Sequence, residues 1–373
     1  MSDSPSRRLL SLDIFRGVTI AGMILVNSPG SWEYAYPALR HSAWNGCTPT
    51  DLVFPFFLFI VGVAITLSLS KRKERGDDMN RLLGKIFTRA FAIFAIGVAL
   101  NGFPLYNFAE IRIPGVLQRI AVVYLITSFL FVKTNLRAQA VIGGAVLFLY
   151  WAIMALVPVP GVGAANLEPT TNLGAFIDNT LLRGHLWSVT RTWDPEGLLS
   201  TLPAIGTGIA GLMLGHWLRT THDPAIKTSW IFVAGTLAML AGIIWDIWFP
   251  INKALWTSSY VVYTAGVALL FFGTIYWLVD VRNFRWGTKP FVVFGMNAIA
   301  LYVLSWIAES LLWFITVTNA AGQPVALQSY LFDTYFMPLF SPLNASLAWA
   351  LVYVSLWLGV MWIFYAKKIF VRL

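Results

Sequence analysis

The feature that most restricts this chain is its succession of long, nearly uncharged apolar runs. They fall at roughly 9–27, 51–70, 82–100, 113–132, 138–157, 197–217, 228–248, 258–279, 290–317 and 342–366. A bilayer core of about 30 Å takes about 20 helical residues to cross, and each run meets that length. Stretches such as Ala90–Leu100 are continuously apolar rather than alternating, the pattern of a spanning helix and not of a membrane β-strand. The composition agrees: 58% of the residues are hydrophobic and 12% charged, against roughly 45–50% and about 25% in an ordinary soluble domain. This excludes a disordered chain and makes lipid part of the solvent. The expected fold is an all-α integral membrane protein, a polytopic bundle of about ten transmembrane helices forming one domain over 1–373.

Ten spans put both termini on one side, and the cations choose the side. Of the 26 lysines and arginines, 18 fall in one set of loops and at the termini, including Arg7, Arg8 and Arg372. Five (Arg40, Arg112, Arg183, Arg191, Lys253) fall in the opposite loops, and Arg16, Arg89 and Arg119 lie inside spans. Both termini are therefore expected to be cytoplasmic. Residues 28–50, 101–112, 158–196, 249–257 and 318–341 are expected outside, with 158–196 as a long cover loop. Arg7 and Arg8 give the first span a basic start, but Asp13 and Arg16 interrupt its apolar run. It reads as a retained helix, with those two paired at i, i+3.

Cys47 is the only cysteine, so no intramolecular disulfide or cysteine-rich metal site forms. The four histidines have no zinc-protease spacing, and no metal is expected. Without a basic arm or a nucleic-acid motif, the net charge of +9 concerns membrane orientation and not nucleic acid.

The most informative stretch joins the first two spans. It places Asn27, His41, Trp44, Asn45 and Asp51 at one membrane depth. A histidine exchanges a proton near neutrality, an asparagine amide donates to an oxyanion, and aromatic rings stack on sugars or line the interface. His41 is either a base of this kind or an ordinary interfacial residue. Among intramembrane polar groups, Arg16 and Arg89 either meet an anionic ligand or pair and snorkel. Gln118 and Arg119 face the bundle, Arg119 toward a ligand or an ion pair. Asn297 sits mid-span, suited to interhelical hydrogen bonding. Asp194 and Glu196 in WDPEG either hold a substrate or cap a helix starting there. Asn252 and Lys253, with Trp256, lie at an outer mouth. Gly211 and Gly215, four apart, read as close helix packing.

Six motifs in order, RLLSLDIFRG, HSAWNGCTPTDLVFPFFLFIVGV, IRIPGVLQR, WDPEGLLSTLPAI, INKALWTSSYV and GMNAIALYV, resemble the heparan-α-glucosaminide N-acetyltransferase family of transmembrane acyltransferases. The resemblance is strongest to bacterial members associated with N-acetylglucosamine use. It implies transfer of acetyl from cytosolic acetyl-CoA to the amine of a terminal glucosamine across the membrane. It also implies a homodimer, and in a bacterium an inner-membrane location with His41 at the periplasmic face. The family's catalytic histidine matches His41 in H-x-x-W-N-G, and its active-site asparagine matches Asn27. His41 then acts as general base or as carrier of the acetyl group. Trp44, Asn45, Asp51, Asp194, Glu196, Asn252 and Lys253 are candidate acceptor-binding residues. Arg16, Arg89, Gln118, Arg119 and Asn297 are candidates for the donor. An amino-sugar permease on the same scaffold and an envelope-glycan O-acyltransferase are the competing readings.

Overall fold

The computed structural model describes residues 9–371, so Arg7, Arg8 and Arg372 lie outside the described residues. The fold is all-α apart from one small hairpin. The helices are α1 (Leu10–Asn27), α2 (Val53–Glu74), α3 (Met79–Gly102), α4 (Val116–Lys133), α5 (Leu136–Leu156), α6 (Leu173–Leu181), α7 (Thr201–Leu218), α8 (Pro224–Asp246), α9 (Ser258–Tyr276), α10 (Lys289–Met296), α11 (Ala298–Phe314), α12 (Leu327–Tyr335) and α13 (Pro342–Ala366). Strands Thr316–Thr318 and Pro324–Ala326 pair antiparallel before α12. Among the described residues, eight helices are long and apolar enough to cross a membrane, and the bent pair α10–α11 makes a ninth. The remaining apolar run folds as α7. Large apolar side chains are exposed along the spans, among them Phe91, Val141, Leu149, Leu156 and Leu237, as lipid-facing helices require.

The chain forms two compact units, to both of which α8 and α9 contribute. The larger unit comprises 37–221 and 234–268. In it α2 and α7 run in close contact because glycines face each other. A Cβ on Gly62 would fall 2.0 Å from the Gly208 carbonyl oxygen, and one on Gly211 2.0 Å from that of Phe59. Gly211 and Gly215 therefore serve packing within the chain, Gly215 against Thr66. Leu58, Val123, Ala204, Leu212, Trp256 and Tyr260 fill the core around this seam.

The other unit comprises, among the described residues, 9–36, 222–233 and 269–371. Here α1 packs on α10, with Gly17 against the backbone of Phe291. Asp13 and Arg16 pair at 3.7 Å, as their spacing predicts, and Arg16 Nη1 also donates to the Gly295 carbonyl at 3.2 Å. The apolar run 290–317 is not one helix: it bends by 82° at Asn297. The Asn297 backbone leaves the helical region at φ −127°, ψ 35°. Its amide nitrogen donates to the Ile369 carbonyl, and its amide oxygen accepts from the Val371 N–H, both at 3.0 Å.

The run 158–196 contains α6, whose first turn is capped by Asn172 accepting from the Ala175 N–H at 2.9 Å. The expected helix start in WDPEG is corrected. Asp194 Oδ1 accepts from the Glu196 N–H at 2.9 Å, but this closes a turn, and α7 begins only at Thr201.

Candidate active site

His41 and its partners lie in the larger unit, where two loops meet. A short 3₁₀ turn, Pro49–Leu52, leads into α2 and holds Asp51. Asp51 is fully buried. Its Oδ2 accepts from the Thr48 N–H at 2.9 Å, the Thr48 hydroxyl at 3.0 Å and the Ser42 N–H at 3.0 Å. The Tyr260 hydroxyl donates to its carbonyl at 2.5 Å. This leaves Oδ1 for His41, whose Nδ1 lies 2.6 Å away. A buried carboxylate so placed holds the proton on Nδ1, so the lone pair is on Nε2. The His41 side chain is 43% exposed, and its Nε2 is 3.3 Å from Lys253 Nζ.

Lys253 belongs to the turn between α8 and α9, and that turn is clasped to the His41 loop. The Gly46 N–H donates to the Ile251 carbonyl at 2.7 Å. Asn252 Nδ2 donates to Asn45 Oδ1 at 3.1 Å. Gly46 has φ +104°, a left-handed conformation natural to glycine. Asn252 Oδ1 accepts from the Leu255 N–H at 2.8 Å. Both asparagines thus fix the loops that present His41 and Lys253. Burial favours the neutral amine of Lys253, lowering its pKa against the opposing charges of Glu196 and Asp51. The Cys47 thiol is pushed up to about 12, by burial first and by Asp51 second, so it stays protonated and unreactive.

A second polar cluster lies in the same unit. Arg112 grips Asp194 with Nε at 2.8 Å and Nη2 at 2.6 Å, and the same Nη2 donates to Glu196 at 2.6 Å. Burial opposes the charge on Arg112, but the two carboxylates outweigh it and raise its pKa. Burial would raise Glu196, but the charges of Arg112, Lys253 and Arg119 hold it low. Asp178, on α6, accepts from the Leu198 and Asp194 N–H groups at 2.9 and 3.3 Å. Burial nevertheless pushes it up to about 6. Its carboxylate fits only because residue 197 is glycine: a Cβ there would lie 2.0 Å from Oδ2. Trp44 donates from Nε1 to the Leu167 carbonyl at 2.9 Å and meets Trp193 edge-on at 5.3 Å.

Arg119, on α4, is 2% exposed. Its Nη2 donates to the Gly197 carbonyl and the Ser200 hydroxyl, and its guanidinium lies 5.0 Å over Trp256. Among the described residues its Nε and Nη1 have no hydrogen-bond partner, nor has Gln118 Nε2. Such buried donors are rare. Arg89 is exposed and stacks on Tyr124 at 5.1 Å. Asn27 ends α1 in the other unit and is exposed; half-buried Arg16 and buried Asn297 belong to that unit too. Among the described residues, no three His, Cys, Asp or Glu side chains are grouped to hold a metal ion.

Sequence reasoning missed Arg112 and Asp178. The available signal for Arg112 was a lone cation, in a run otherwise poor in charge, with two acids in WDPEG as prospective partners.

The arrangement can orient an imidazole, with Nε2 directed away from the carboxylate. Residues 8–243 match the family described as "Heparan-alpha-glucosaminide N-acetyltransferase, catalytic". The chain is 32% identical over 351 residues to the heparan-alpha-glucosaminide N-acetyltransferase of Homo sapiens, covering 79% of this chain and 52% of that protein. It is likewise 32% identical over 355 residues to that of Mus musculus, covering 80% and 53%. The chain spans about half the length of these curated relatives. His41, Asp51, Arg112 and Asp194 all fall within the matched region, and the chain belongs to the heparan-α-glucosaminide N-acetyltransferase family.

Proposed function

We propose that this chain moves an acetyl group from acetyl-CoA to the amine of glucosamine or of a terminal glucosaminide. The Asp51–His41 pair, at 2.6 Å with Nε2 outward, carries the reading. An amine attacks a thioester only as the free base. His41 Nε2 removes its proton, an effect of about 10²–10⁴-fold, or accepts the acetyl group first and passes it on. Asp51 fixes the ring and stabilises the imidazolium. Asn27, assigned through the family resemblance alone, donates to the tetrahedral oxyanion, typically about 3 kcal/mol.

On the acceptor side, Trp44 offers an aromatic face, and Asn45 and Asn252 hold the loops around it. Asp194 and Glu196 set the local negative charge, with Arg112 between them. On the donor side, Arg119 and Gln118 supply buried donors to the acyl-bearing arm. Arg89 meets the phosphates ahead of Arg16, whose guanidinium is engaged by Asp13 and Gly295. Asn297 keeps its structural bonds. The excess of cations in one set of loops supports cytoplasmic termini, with His41 at the periplasmic face of a bacterial inner membrane. The family resemblance supports a homodimer.

The test uses the full chain in detergent with acetyl-CoA and glucosamine. N-acetylglucosamine should form, and His41→Ala should abolish its formation while sugar binding persists. Unchanged transfer by H41A removes His41 from the chemistry. Acetylation of N-acetylated acceptors alone would make the protein an O-acyltransferase. Accumulation of amino sugar in proteoliposomes without any acetylation would make it a permease.

A further inference from the structure

The nitrogen beside the reactive edge of His41 is itself a primary amine. Lys253 Nζ lies 3.3 Å from Nε2, close to the reach at which a general base takes a proton, a distance often looser before ligands bind. The acceptor amine of the reaction proposed above must come to this same atom. The clasp of Asn45 and Gly46 to Asn252 and Ile251 holds the lysine turn there, so the proximity is built into the loops. Burial lowers the pKa of Lys253, which makes its neutral form, the one able to attack a carbonyl, easier to reach.

The geometry points to Lys253 as an internal acetyl acceptor, a modification site that forms when acyl thioester is present and the amino sugar is not. The inference rests on the acetyltransferase reading. The neutral Nζ attacks the thioester carbonyl. The N–C bond forms as the C–S bond breaks, and the surplus proton of the amine passes to His41 Nε2 and then to the departing thiolate. The products are an amide on Lys253 and a free thiol. The amide carries no charge and cannot protonate at neutral pH, and its methyl and carbonyl occupy the space in front of Nε2. Modification therefore ends turnover. An acceptor amine bound at Nε2 displaces Lys253 and protects it, so the enzyme silences itself only when acceptor is scarce.

The experiment incubates the purified full chain with acetyl-CoA alone and maps acetylation by peptide mass spectrometry. One acetyl group should accumulate on Lys253, and transfer to glucosamine measured afterwards should fall in proportion. Glucosamine present from the start should suppress the mark. His41→Gln should slow its formation about 100-fold. Lys253→Arg should carry no mark, and its transfer rate, whatever its starting value, should no longer decay on preincubation with donor. The suppression by glucosamine needs no variant and guards against misfolding of either one. If the protein acetylates glucosamine while Lys253 stays unmodified, the inference fails and the function stands. Equal marking with and without glucosamine, or in H41Q, means ordinary lysine chemistry and also overturns it. If neither sugar nor lysine is acetylated, the acetyltransferase reading falls and this inference with it.

Discussion

Two of the polar clusters set into this apolar chain terminate differently. Around Asn297, hydrogen bonding closes on the backbone: its amide meets Ile369 and Val371, and Arg16 meets Asp13 and Gly295. Around His41 the network is equally dense at its base, where Asp51 accepts four bonds. It ends, however, in an imidazole edge that faces another side chain and solvent. Nearby, Arg119 keeps two buried donors without partners. Polar groups in a low-dielectric interior are costly unless satisfied. A cluster that stops short of satisfaction holds capacity for a ligand, whereas a saturated one holds the backbone.

The largest expected effect tests that distinction on activity. H41Q should lower acetyl transfer by about 10²–10⁴-fold with a much smaller effect on melting temperature, because it removes the reactive Nε2 while a glutamine amide offers a donor to Asp51 and the Thr48 and Ser42 bonds to that carboxylate remain. A large loss of stability with proportionate loss of activity would erase the contrast with Asn297. Arg112→Ala should act the opposite way. It leaves Asp194 and Glu196, 3% and 8% exposed, as adjacent buried carboxylates. Removing one partner of such a pair costs about 3–5 kcal/mol, read as a large drop in melting temperature. Stability close to that of the wild type would show that solvent already compensates those acids.

Much of this was legible in the sequence, for physical reasons that differ by level. Bilayer thickness dictates run length, so the ten apolar runs mark helices directly. The break at Asn297 is hidden because the run 290–317 is predominantly apolar, with Glu309 its one charged residue, and the groups that satisfy the break lie 72 and 74 residues further on. His41 is singled out in the sequence by its motif alone. That Asp51 is its partner follows only from the fold of the loop between them. The pairing of Arg112 was hard to read because its carboxylates are 82 and 84 residues away. Asp194 was half legible: it does cap, but it caps a turn and not a helix.

Asn297→Ala probes the saturated cluster. It removes the bonds to Ile369 and Val371 and should cost about 1–3 kcal/mol. Limited proteolysis near residue 369 should accelerate, and transfer per folded molecule should hold. A selective loss of transfer would move Asn297 from structure to ligand binding.

The smallest effect is electrostatic and concerns only the His41 unit. Asp178 is held at about 6 by burial, above the ordinary aspartate value of about 3.9. The folded state then binds its proton more tightly than the unfolded chain does. Between pH 4 and 6, roughly, stability should fall as pH rises, by up to about 1.4 kcal/mol per pH unit from this group. The contribution is complete below the unfolded value and lost above the folded one. Glu196, held low by Arg112, Lys253 and Arg119, slopes the other way, so the wild-type profile mixes both. Asp178→Asn isolates the first. Relative to wild type, the variant should gain stability as pH rises through this window; its one amide oxygen keeps an acceptor for the Leu198 N–H and gives up the longer bond from the Asp194 N–H, a loss that does not vary with pH. An unchanged difference between wild type and D178N from pH 4 to 7 would mean that Asp178 titrates normally and that water reaches the carboxylate.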